Sequence, residues 1–208
     1  MPRRNSPRSE NLRRAVAQEA ARVMAEHGIQ DFRTAKRKAA ERFGITEEGA
    51  LPSNVEVEAS LAEYQRLFAA KTHGATLKAK RQAALRAMRT LATFSPRLVG
   101  PVLSGTATAH NDVQLHLFVD NPEAVPLSLL DRGVSHDVGE QRLRLDAERF
   151  QNFPSVRFEL DQHMIQATVF PVDGIRQTPV SPVDGRPMRR ADIGELEALL
   201  RDGEASLA

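Results

Sequence analysis

Near Pro96 the apolar residues of this chain change their spacing, and that change constrains the fold more than any other feature. Upstream they recur every three or four positions, the period of a helix with one buried face; downstream they alternate, the period of a half-buried strand. Helices gathered in one part of a chain and strands in the other give an α+β architecture rather than a repeating βαβ one. The reading is a helical N-terminal region, then a mixed sheet, then a C-terminal helix.

Leu12, Val16, Ala20 and Val23 form the first helical stripe, which ends at Gly28. Asp31 caps a second stripe of Phe32, Ala35, Ala39 and Phe43, closed by Gly44. After the loop ITEEGALP, Ser53 and Glu56 form a capping-box pair that opens a third helix, with Val57, Leu61, Tyr64 and Phe68 on one face. A fourth is expected over 77–94, with Leu77, Ala84, Met88 and Leu91 inward and Lys78, Gln82, Arg86 and Arg89 outward. LVGPVLSG then reads as a short buried strand ending at Gly105, and DVQLHLFVD as an amphipathic one. Pro122 to Gly133 reads as a short crossover helix. QRLRL, SVRFEL and MIQATVF read as strands, the last two joined as a hairpin through Asp161, Gln162 and His163. Residues 171–190 repeat Pro-Val-Asp-Gly and read as a loop, before Asp192 and Glu195 cap a final helix. The expected organisation is a disordered basic tail over 1–9, a four-helix region over 10–94, and an α+β domain over 95–208.

Composition narrows the function. No apolar run approaches the length of a membrane span, and no apolar stretch follows the basic start as in a secretory signal, so the expected location is cytoplasmic, with no membrane partner. The absence of cysteine removes thiol nucleophiles, iron–sulfur clusters and thiolate zinc sites, leaving carboxylate and histidine for any metal. The formal net charge of +2 decides nothing, but its distribution does: no acidic residue falls between Glu63 and Asp112. Lys78, Arg86 and Arg89 in that segment are candidates for binding nucleic acid or another polyanion.

The candidate chemistry lies in SGTATAHNDVQLH. If Val113, Leu115 and Leu117 are buried on one strand face, then Asp112, Gln114 and His116 share the other. The small-residue turn at Gly105 and Thr106 offers backbone N–H groups and a hydroxyl to phosphate oxygens. Arg186, Arg189 and Arg190, after the second Asp-Gly turn, could clamp phosphate bidentately.

These residues resemble the nucleotidyltransferase superfamily with the DNA-polymerase-β-like fold. Its pattern is a hydrophobic residue, Gly, then Gly or Ser, followed by a strand bearing two carboxylates at alternate positions. Gly105-Thr106 and Asp112-Val113-Gln114-Leu115 follow that order, with Thr for Ser and Gln114 in place of the second carboxylate. On the later strand, where the family has a third carboxylate, stand Gln166 and Thr168. The chain is similar over nearly its whole length to uncharacterised bacterial proteins sharing this degenerate pattern. The resemblance implies a nucleoside triphosphate or other phosphorylated ligand at Gly105 and Thr106, with Asp112 on Mg²⁺ and Gln114 and His116 beside it. It implies either transfer of a nucleotidyl group to an acceptor or a pseudoenzyme. The alternative is a catalytically inactive scaffold or regulator that binds nucleic acid or a protein through the basic helix over 77–94.

Overall fold

The computed structural model describes residues 7–45, 51–146 and 148–205; residues 1–6 of the expected basic tail and 46–50 of the ITEEGALP loop lie outside the described residues. The fold is α+β, with seven helices and a five-stranded mixed sheet among the described residues. In chain order these are α1 (Pro7–His27), α2 (Phe32–Arg42), α3 (Asn54–Phe68), α4 (Ala70–Thr90), β1 (Arg97–Val99), α5 (Gly100–Ser104), β2 (Val113–Phe118), α6 (Ala124–Asp131), β3 (His136–Arg144), β4 (Phe150–Leu160), β5 (His163–Phe170) and α7 (Ile193–Ala205). They form two compact units. One holds α1 to α3 and the start of α4 through Gly74, with 106–111 and 182–184; the other holds the rest of α4, the sheet and α5 to α7.

In the helical unit Val16, Ala20 and Met24 of α1, Ala35 and Ala39 of α2 and Val57 of α3 bury together. The expected caps are present. Asp31 accepts the Thr34 N–H at 2.7 Å, and Ser53 and Glu56 form a reciprocal capping box.

In the second unit the sheet order is β1-β2-β5-β4-β3, with β2 and β5 parallel and every other pair antiparallel. Asp161 and Gln162, with φ of 51° and 64°, make a two-residue hairpin that fixes Leu160 opposite His163 and hence Arg157 opposite Gln166. One sheet face carries the buried Leu98, Leu115, Leu117, Val156, Ile165 and Ala167. The other carries Gln114, His116, Phe118, Gln166, Thr168, Phe170, Ser155 and Arg157, placed side by side by the register.

Several expectations change. Residues 7–9 of the expected tail belong to α1, and the hairpin turn is Asp161-Gln162 alone, because His163 already pairs with Leu160. LVGPVLSG is not one strand: only Arg97–Val99 is extended, and Gly100–Ser104 is a helix with Pro at its first turn and Gly105, at φ 92°, as its C-cap. Those are helix start and stop signals, hidden by the apolar Val102 and Leu103 between them. The fourth helix starts at Ala70 and ends at Thr90, a 3₁₀ turn covering Ala92–Phe94. β3 and β4 extend N-terminally beyond QRLRL and SVRFEL. Pro154 stands inside β4 because pairing with β5 begins only at Ser155, so its missing N–H breaks no rung there. Finally, the face expected to be a polar row on β2 is buried at His116 and Phe118, and only Gln114 is half-buried.

Candidate functional site

The second sheet face has two different ends. At the C-terminal ends of the parallel strands, Phe118 and Phe170 pack with Phe153 of β4, and the His116 ring lies 4.6 Å from that of Phe170. Arg190 covers this end. Its Nε donates to His116 Nδ1 at 3.1 Å, its Nη1 to the carbonyls of Gly174 and Ile175, and its guanidinium stacks 4.8 Å over Phe118. His116 therefore accepts through Nδ1 and carries its proton on Nε2. Burial, then the charge of Arg190, pushes its pKa down to about 3, so the ring is neutral near pH 7. Burial also lowers Arg190, to about 10. Both residues are spent on holding the 171–190 loop to the sheet.

At the other end, Arg157 on β4 donates through Nε to Asp112 Oδ2, and its Nη2 lies 3.1 Å from the same oxygen. Lys80 of α4, only 4% exposed, is held below its ordinary pKa by burial while the charge of Asp112 opposes that shift. Gln166 Nε2 donates to Gln141 Oε1 at 2.7 Å. The Gln114 amide lies over Gly100, whose φ of 70° and lack of Cβ make the room; a methyl there would collide with that amide.

The remaining candidates are scattered by the fold. Gly105 caps α5 beside Arg81, whose Nε donates to Val102 O at 3.1 Å. Burial, then the like charge of Arg189, lowers the Arg81 pKa. Arg186 is exposed, its carbonyl accepting the Ser181 N–H. Thr106 belongs to the helical unit, where its hydroxyl donates to Glu58 Oε1 at 3.3 Å and its carbonyl accepts from Gln65 Nε2. On α4, Arg86 is ion-paired with Asp161, and Arg89 with Glu197 at 2.7 Å; Lys78 is half-buried. The long acid-free segment thus finds its acids far along the chain.

Sequence reasoning passed over Arg157, Lys80 and Arg81 as site residues. Lys80 and Arg81 stand in the acid-free segment, and the expected three-residue turn at 161–163 sets Arg157 opposite Ala167, whereas the two-residue turn of the fold sets it opposite Gln166.

The donor set does not fit Mg²⁺. That ion wants several charged oxygens, whereas Asp112 is held by Arg157 and is faced by Lys80, and Gln114 and Gln166 occupy the adjoining strand positions. Among the described residues no group of three or more His, Asp or Glu is placed to hold a metal. No described helix is long and apolar enough to cross a membrane. No family model, curated protein or solved structure matches the chain.

Proposed function

We propose that this protein binds a phosphorylated ligand, a nucleotide or similar polyphosphate, at the Asp112 end of the sheet face without metal and without catalysing transfer. The observation that carries this reading is the Arg157 guanidinium bonded to Asp112, with the Lys80 charge felt at the same carboxylate. Where the resemblance puts metal ions, this chain puts side-chain cations. A guanidinium matches phosphate geometry bidentately. Transfer, by contrast, needs charge stabilisation across the reacting phosphate that one paired carboxylate does not supply.

The resemblance also sits better on Val99-Gly100 than on Gly105-Thr106, since Gly100 is the turn between β1 and α5. There Pro101 stands where the family has Gly or Ser, removing an N–H donor, and the Gln114 amide lies over the glycine. Both features favour a pseudoenzyme. The basic helix draws no comparable support, because Arg86 and Arg89 are engaged by Asp161 and Glu197.

Thermal shift with ATP and with inorganic triphosphate, each in chelator and in Mg²⁺, tests the reading, because a ligand of the native state raises Tm by mass action. The expected result is a rise in chelator that Arg157→Ala removes. A rise that needs Mg²⁺ and disappears in Asp112→Ala would return the site to metal chemistry, and no rise at millimolar ligand would refute the proposal.

A further inference from the structure

The sheet ends on β3, a nine-residue strand that pairs with β4 on one side and, among the described residues, with no strand on the other. An unpaired edge is a template for another strand, and proteins blunt such edges with short strands or charges that repel an incoming chain. This edge is long, and its charges are ordered: Asp137 and Glu140 precede Arg142 and Arg144. An identical strand laid antiparallel brings acidic half against basic half, whereas a parallel one sets like charges together.

The backbone fixes which residues face outward. Leu145 N–H bonds to Arg149 O toward β4, while the carbonyl of Arg144 accepts Val180 N–H at 2.7 Å. Arg144 therefore turns its main-chain groups away from β4, and by the two-residue period so do Arg142, Glu140, Val138 and His136. Outward residues must pair with outward residues. A two-fold axis at Glu140 would oppose two glutamates. An axis at Gln141 instead sets Glu140 opposite Arg142 of the second copy, twice by symmetry, and the ladder stops where Val180 occupies Arg144.

Two further features fit a covered surface. Val138 is 67% exposed although its rung partner Val156 is buried, and α6, which packs beside β3, leaves Leu127 and Leu130 at 55% and 65%. The charged pair is already ordered: Asn152 Nδ2 donates to Glu140 Oε2 at 2.9 Å, and the Arg142 guanidinium sits 4.9 Å over the Phe150 ring. Pre-ordered side chains lose less entropy on association.

We propose that the open edge of β3 is the seat of a second copy of this chain, paired antiparallel about an axis at Gln141 so that two sheets become one. A closed two-fold pairing of this kind consumes the edge and does not propagate into fibres.

Sedimentation equilibrium on the full chain through the micromolar range tests this. A dimer is expected. Glu140→Arg and Arg142→Glu should each raise its Kd by about tenfold or more, since each sets like charges opposite at two symmetric positions. The swap Glu140→Arg with Arg142→Glu should restore dimerisation, an outcome that loss of folding cannot mimic. A monomer at every concentration would overturn the proposal. So would a dimer indifferent to both single reversals, or single losses that the swap fails to repair.

Discussion

The two ends of one sheet face use the same strands for opposite purposes. At the closed end Arg190 spends its donors on His116 and on loop carbonyls and lies over an aromatic floor; at the open end Arg157 holds one carboxylate whose charge Lys80 also feels, and the glutamines are half-buried. Histidine and loop arginine, the residue types that first suggest chemistry, serve stability here. The proposed binding falls instead to a strand arginine and a helix lysine, which tertiary packing brings to Asp112's charge.

Breaking the closed end should have the largest effect. Arg190→Ala strands His116 Nδ1 and several carbonyls beneath the loop, so the expected loss is about 3 kcal/mol, read from the urea midpoint. Triphosphate affinity should be little changed in the variant at temperatures where it is folded. A small stability loss with abolished binding would reverse the roles of the two ends.

The next effect is a pH dependence. His116 is neutral in the fold, with its pKa pushed down to about 3 by burial and Arg190, while in the unfolded chain it titrates at its ordinary 6.5. Between those values the unfolded state binds the extra proton, so this contribution is complete above pH 6.5 and is lost as pH falls. The loss from this residue should be about 2 kcal/mol at pH 5. His163 is lowered in the same direction, first by burial and then by the Lys80 charge, so the clean reading is the difference from His116→Asn, whose amide oxygen can accept the same bond. Identical slopes in the two proteins would show that His116 is not buried as described.

At the open end the stability effects shrink. Gly100→Ala places a Cβ at φ 70° against the Gln114 amide and should cost about 1–2 kcal/mol, part of it recovered by Gln114→Ala. Arg157→Ala removes a partly exposed ion pair and should cost under about 1 kcal/mol in the denaturant midpoint. Its ligand binding should nevertheless disappear, which is the sharpest contrast with Arg190.

Much of the fold was legible where a local signal acts alone. The Asp31 cap, the Ser53–Glu56 box and the reciprocal Asp192–Glu195 pair each follow from residues close in sequence, whereas the β4–β5 hairpin was legible but its turn is one residue shorter than the expected 161–163. Misreadings came where two local rules competed. In Gly100–Ser104 the apolar Val102 and Leu103 masked the Pro and Gly that bound a one-turn helix, and at Pro154 a strand breaker hid a strand that tolerates it. The candidate site was legible as a place but not as an arrangement. Asp112 and Gln114 were marked from the strand period, yet the partners of Asp112, Arg86 and Arg89 stand 45, 75 and 108 positions away. Pairing over such separations is set by tertiary packing, which no window of sequence contains.

The central claim is that Asp112 acts as an internal counter-anion to side-chain cations, not as a metal ligand, and calorimetric titration of ATP into wild-type and Asp112→Asn protein in chelator and in Mg²⁺ tests it most directly. The account predicts binding in chelator that tightens when the competing carboxylate is neutralised. Binding that requires Mg²⁺ and weakens in Asp112→Asn would contradict it.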